Sequence, residues 1–360
     1  MAFCKFLTNT YHFTYDVVKP CCWIKNTKVH ISKHDEIKQE FKRLNAIDDW
    51  IPECEYCYKL EAAGTQSPRT ISLNEPFFSD SDEPGTAVKV ELQLDEDCNA
   101  ACIMCSGFNS TTWQKYTENT VKGKIKIYHK TTVDERIAAV EATIDFDTVR
   151  QVHFFGGEPF NTDTHLRIIR QIKHPEQTRL VYVTNCSVFP NDETLELWKK
   201  FKLVHLMTSI DGIGEHFNYL RWPLRWDQVE KNLVKYRDML QNKNFQMNSS
   251  FTGSPFNLYY IDTYEQWSRE FFKGTSVDGN WFFKNPHPVV GPINLESVPE
   301  QLKEIIREKY TADSRIYKII DRYDPEKYEA FIKYIEFHDE HRKLEWRKVF
   351  PEVEHYFPNI

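Results

Sequence analysis

"VKVELQLDEDCNAACIMC", residues 88–105, joins an alternating apolar–polar run to three cysteines, Cys98, Cys102 and Cys105. Its first part, "VKVELQL" (88–94), is β-branched and alternating, which predicts a strand. The cysteines begin just beyond that strand. Similar runs recur further along: "VRQVHFF" (149–155) before "GGEP", "RLVYVT" (179–184) before "NC", and "LVHLMTSI" (203–210) before "DG". "FQMNSSF" (245–251) and "GNWFF" (279–283) are two more candidate strands. Helical patterns lie between them, over 134–144, 164–172, 192–201, 226–240 and 263–272, several opening at an Asp or Thr cap. Strands alternating with helices predict βα units and a parallel sheet. Six such units over 88–285 predict an α/β fold, an incomplete TIM-type (β/α)6 barrel. In parallel barrels the chemistry sits at the C-terminal ends of the strands. Cys98–Cys105, Gly156, Gly157, Glu158, Asn185, Ser209 and Asp211 all follow strand ends and are expected on one rim.

The three cysteines leave a coordination place open. A zinc site closes tetrahedrally, usually on two pairs of cysteines, and this spacing with no nearby histidine does not match that pairing. A [4Fe–4S] cluster takes a thiolate on each iron, so three thiolates leave one iron for something that is not protein. The chain has nine cysteines: Cys4, Cys21, Cys22, Cys54, Cys57, Cys98, Cys102, Cys105 and Cys186. An odd number at close spacing, in a chain expected to sit in a reducing cytosol, reads as metal or cluster ligands rather than disulfides.

Cys-x3-Cys-x2-Cys after the first barrel strand, followed by "GGEP" after the second, resembles the radical S-adenosylmethionine (radical SAM) superfamily over roughly residues 88–285. The resemblance implies that Cys98, Cys102 and Cys105 hold a [4Fe–4S] cluster whose open iron takes the methionyl amine and carboxylate of SAM. It implies reductive cleavage of SAM to a 5′-deoxyadenosyl radical that abstracts a substrate hydrogen. Met104 stands where the family commonly has an aromatic residue and can pack on a nucleobase. Gly156 and Gly157 allow close backbone approach, and Glu158 can accept from the SAM ammonium. Asn185, Ser209 and Asp211 match positions where relatives hold the ribose hydroxyls and the carboxylate. Singly, each of these reads as ordinary turn chemistry; the functional reading comes from their joint position. Cys186 stands where many relatives have glycine; it is a candidate hydrogen-atom donor against the default of a buried, inert thiol.

Residues 1–78 carry the other cluster of cysteines. Cys54-x2-Cys57 with two earlier cysteines suits zinc or an iron–sulfur cluster equally. The tail "EYCYKLEAAGTQSPRT" resembles twitch-containing radical SAM proteins, so the segment is expected to be a SPASM/twitch-like auxiliary [4Fe–4S] module placed at the N-terminus. Its ligands would be Cys4, Cys21, Cys54 and Cys57, with Cys22 the alternative to Cys21. Arg69 in that tail is a candidate substrate contact against the commoner surface ion pair. The acidic break "SDSDEPGT" lies in an expected linker, 79–87, ahead of the barrel at 88–285. Residues 286–360 are expected to form a helical extension, in which "PEKYEAFIKYIEFHDEHRKLEWRKVF" (325–350) packs across the barrel.

Composition bounds the rest. With 41% hydrophobic and 28% charged residues the chain is that of a folded protein. It has no run of about 18 apolar residues to span a membrane, and its start lacks the apolar core of a signal peptide, which points to the cytoplasm. A net charge of −7 and a pI near 6.0 argue against a general nucleic-acid coat; the basic "VKGKIKIYHK" (121–130) is explained as well by a solvated hairpin. The expected partners are a peptide or small-molecule substrate and, by resemblance, an electron donor such as flavodoxin or ferredoxin. A radical SAM enzyme acting on RNA or a nucleotide is the alternative, and a non-catalytic metal-cluster or zinc interaction protein a third.

Overall fold

A computed structural model describes residues 4–47, 49–80, 83–121, 128–277, 287–288, 293, 295–309, 320 and 324–357. Its main sheet contains β1 (Thr10–Thr14), β2 (Val17–Lys19), β3 (Val29–His30), β4 (Lys89–Gln93), β5 (Gln151–Phe154), β6 (Arg179–Thr184), β7 (Leu203–Ser209) and β8 (Phe245–Ser250), in the order β3-β2-β1-β4-β5-β6-β7-β8. β1, β4, β5 and β6 run parallel, while β2 and β3 form an antiparallel edge. Five of the six predicted strands are present. "GNWFF" (279–283) and residues 122–127 of the basic stretch lie outside the described residues. The N-terminal segment also differs from the expectation of cysteine ligands alone: residues 10–30 supply three strands, and β1 pairs directly with β4.

The chain divides into two compact units. The first comprises Met1–Glu96, Ile127–Val183 and Pro190–His205; the second comprises Asp97–Lys126, Thr184–Phe189 and Leu206–Ile360.

In the first unit the register sorts side chains by face. Tyr11, Val90, Val152 and Leu180 align across β1, β4, β5 and β6, as do Phe13, Leu92, Phe154 and Tyr182. All are buried, and they form an apolar face of the sheet. Alternate residues must point the other way. Thr10, Lys89, Gln151 and Arg179 form one row, and His12, Glu91 and His153 the next. Parallel strands covered on both faces are normally apolar throughout. Here one face is polar although β4 is buried along its whole length.

In the second unit β7 and β8 are joined by Thr208 and Ser249, whose hydroxyls donate to the carbonyls of Asn248 and Thr208. The predicted C-terminal helix runs Pro325–Arg342. Asp324 caps it by accepting from the Glu326 and Lys327 amides, and Lys343 ends it in the left-handed conformation (φ 55°). Its stripe of Tyr328, Phe331, Ile332 and Ile335 is buried, and Phe256 stacks among Phe331, Trp346, Phe350 and Phe357. Among the described residues no helix is long and apolar enough to cross a membrane.

Candidate functional site

The second unit contains the three-cysteine loop, and its backbone is held from several sides. The Ala101 and Ile103 amides donate to the carbonyls of Trp222 (2.7 Å) and Leu220 (2.9 Å). Trp113 Nε1 donates to the Cys102 carbonyl (2.8 Å), the Tyr334 hydroxyl to the Ile103 carbonyl (3.0 Å), and the Thr112 hydroxyl to the Cys98 carbonyl (2.6 Å). These bonds all go to the loop's backbone, while Cys105 Sγ donates to the Ser106 carbonyl (3.7 Å). Burial pushes Cys102 and Cys105 up, Cys105 to about 12, with the charge of Cys102 adding to the effect on Cys105. Thiols held so high keep their protons until a metal displaces them.

Two guanidinium groups flank the loop. Arg221 Nη1 donates to Cys102 Sγ (3.8 Å), and Nη2 pairs with Asp211 Oδ2 at 2.5 Å. Asp211 is fully buried and also accepts from the Thr252 amide (2.8 Å). Arg342, only 6% exposed, lies over the rings of Trp113, Tyr116 and Trp222 at 4.8–5.0 Å. None of its three guanidinium nitrogens has a hydrogen-bond partner among the described residues. A buried cation with unused donors is costly unless something negative completes it. With the thiols protonated, Arg221 is paired with the Asp211 carboxylate, and Arg342 has the Asp339 carboxylate within electrostatic reach but no hydrogen-bond partner among the described residues. A cluster on three thiolates carries net negative charge, so the donor set and its surroundings fit such a group.

Asn185 Nδ2 donates to Asn99 Oδ1 (3.1 Å), next to Cys98, and Asn185 Oδ1 accepts from Ser187. Cys186 is fully buried at φ 60°, and its sulfur meets the Thr184 carbonyl. That positive φ explains why a glycine would suit the position. Met104 and Ser209 are half-buried.

"GGEP" lies in the first unit. Gly156 has φ +80°, and a Cβ there would fall 2.3 Å from Gln93 Cγ, so only glycine fits without displacing Gln93. Gly157 also has positive φ. Glu158 is 2% exposed, and its carboxylate accepts from the Phe160 amide. Both Gly156 and Glu158 line a small cavity with Asp95, which Thr162 and Thr164 hold through their hydroxyls.

The first unit also gathers the N-terminal cysteines. Cys4, Cys21, Cys54 and Cys57 line one cavity of about 930 Å³, counting its open mouth; Cys22 does not line it. Cys4 precedes the helix Lys5–Asn9 and accepts from the Leu7 amide, while Cys54 and Cys57 sit at the start of the helix Glu55–Ala62. Burial and then the charge of Cys21 push Cys4 and Cys54 up to about 12, and burial raises Cys57. The bond to Cys22 lowers Cys21 and raises Cys22. Arg69 at the cavity wall pairs with Glu61 through two nitrogens and lies over Trp50 at 5.2 Å. Four buried thiols around one cavity fit a metal or a cluster.

Sequence reasoning passed over Arg221, Arg342, His12 and Glu91. For Glu91 a signal was present: the alternation of "VKVELQL" puts Lys89, Glu91 and Gln93 together on one face of a strand flanked by others. The two arginines carry no local signal.

Residues 95–248 match the family model described as the Radical SAM superfamily. The matched span contains Cys98, Cys102, Cys105, the "GGEP" turn, Asn185, Ser209 and Asp211, and supports a radical SAM domain there. Residues 1–94, with the five N-terminal cysteines, lie outside it. No curated protein matches the chain.

Proposed function

We propose that the protein is a radical SAM enzyme that cleaves S-adenosylmethionine and abstracts a hydrogen from a peptide or small-molecule substrate, with an auxiliary [4Fe–4S] module at its N-terminus. The observation that carries the reading is the anchored three-cysteine loop beside Arg342, a buried cation whose donors have no hydrogen-bond partner among the described residues. Cys98, Cys102 and Cys105 would hold the cluster, which when bound supplies the electron for SAM cleavage. Arg221 and Arg342 offset the negative charge of that group, and Asp211 holds Arg221 in place. Gly156 opens its turn to a ligand, and Glu158 offers a buried carboxylate to an ammonium. Asn185, Ser209 and Met104 are assigned to the remaining SAM contacts on the resemblance. Cys186, closed in by its own backbone, is assigned a packing role before that of hydrogen donor.

The convergence of Cys4, Cys21, Cys54 and Cys57 on one cavity supports the auxiliary cluster and the choice of Cys21 over Cys22. The twitch/SPASM resemblance of that segment favours a peptide or small molecule as substrate. The deciding experiment is anaerobic reconstitution followed by reduction with SAM present. Release of 5′-deoxyadenosine and methionine, lost in Cys102→Ala, is the expected result. Full loading with zinc and no sulfide would replace the reading with that of a structural metal protein.

A further inference from the structure

Cys22 is the N-terminal cysteine outside the four-thiol cavity, and it has other neighbours. The β1–β4–β5 register lines up His12, Glu91 and His153 across three adjacent strands. A ring nitrogen of His12, the sulfur of Cys22 and a carboxylate oxygen of Glu91 all lie within 4.8 Å of one another. His12 Nδ1 is 3.0 Å from Glu91 Oε2, a separation that two ligands on one tetrahedral ion can keep. His12 and Glu91 are each 5% exposed.

The groups behind these atoms are also arranged. The second nitrogen of His12, Nε2, is 2.5 Å from the Thr14 hydroxyl, and the second oxygen of Glu91, Oε1, takes the Lys89 ammonium at 2.7 Å. Metal-binding histidines and carboxylates are typically fixed through their other atom in this manner. The Lys89 contact leaves Glu91 one oxygen for a metal. His153 follows next in the row, and its Nε2 is buried with no hydrogen-bond partner among the described residues. Nitrogen, thiolate and carboxylate oxygen together suit zinc or ferrous iron rather than calcium or magnesium.

We propose that His12, Cys22 and Glu91 bind a single divalent transition-metal ion, zinc or ferrous iron, separate from the four-thiol cavity. Binding forms the sulfur–metal bond, releases the Cys22 thiol proton to water and changes no oxidation state. The site would then place a mononuclear metal one residue from an auxiliary-cluster ligand, and it gives the polar face of the sheet a ligand to hold.

The test is zinc loading of the anaerobically isolated full chain, read by elemental analysis after gel filtration and by X-ray absorption at the zinc edge. One retained zinc with one sulfur and otherwise nitrogen or oxygen neighbours is expected. Cys22→Ser should lose the sulfur neighbour and weaken retention at least tenfold, leaving iron and sulfide content unchanged. Thr14→Val, which spares every ligand, should weaken zinc about tenfold to a hundredfold through the orientation of His12. No retained zinc, zinc with several sulfurs, or loss of iron and sulfide in Cys22→Ser would each overturn the proposal. The measurement needs no SAM, so its failure and that of the radical SAM reading are distinguishable.

Discussion

Asp211→Asn removes the negative partner of Arg221 while sparing the neighbouring hydrogen bond. Asp211 is fully buried, Arg221 is 7% exposed, and their charged atoms lie 2.5 Å apart. The asparagine oxygen can still accept from the Thr252 amide that now donates to Oδ1, so the change isolates the charge. Two unit charges about 4 Å apart at an effective dielectric near 20 gain about 4 kcal/mol. Stripping one member from a buried pair costs about 3–5 kcal/mol, because the other is left uncompensated. Among the described residues Arg221 would keep the Cys102 sulfur, a weak acceptor at 3.8 Å. At about 2–4 °C per kcal/mol for a unit of this size, the thermal midpoint should fall by roughly 6–20 °C. Arg221→Met should cost a similar amount by orphaning Asp211. The double variant removes both charges, so it should lose less than the two singles together, with a coupling of about 1–3 kcal/mol. Circular dichroism melts and urea titrations of the four anaerobically purified, cluster-free proteins measure the cycle. Strictly additive losses, or an Asp211→Asn midpoint within about 2 °C of the parent, would refute a buried pair at this position.

Arg342→Met should retain less iron and sulfide at the three-cysteine loop after reconstitution, without a comparable loss of stability in the cluster-free chain, because the guanidinium it removes has no hydrogen-bond partner among the described residues. Equal retention would show that Arg342 is not the counter-charge. Gly156→Ala should cost about 1–3 kcal/mol in urea midpoint, combining the left-handed backbone with displacement of the flexible Gln93 side chain; an unchanged midpoint would show that Gln93 relaxes freely. Burial lowers His165 to about 4, so the folded state binds its proton less readily than the unfolded chain. Its contribution is therefore complete above pH 6.5 and is lost as pH falls toward 4, about 3 kcal/mol in all. His165→Gln should flatten that part of the stability–pH curve, and an unaltered slope would assign the loss to other groups.

Much of the sheet and its helices was legible because their signals are local. The run 88–94 became β4, 179–184 became β6 without change of bounds, and 226–240 became a helix ending at Met239. Residues 10–30 escaped that reading: "TYHFT" is short, and β2 and β3 are two or three residues long, too brief for periodicity to register. The cysteine groups were legible as groups from spacing alone. Cys21 and Cys22 were not separable, since adjacent residues share every sequence property; only the fold puts one on the cavity and the other near His12 and Glu91.

The sequence by itself determined the alternation of strand and helix, the three-thiol spacing after β4 and the glycines at the "GGEP" turn, all carried by residues within a few positions of one another. The tertiary structure alone decided the partners. His12 meets Glu91 across 79 residues, Tyr116 meets His338 across 222, and Tyr334 reaches Ile103 across 231. Pairings at such separation are set by strand register and helix packing, which depend on the collective burial of the apolar faces. A buried arginine such as Arg342 therefore looks like any helix-end cation until the chain has folded around it.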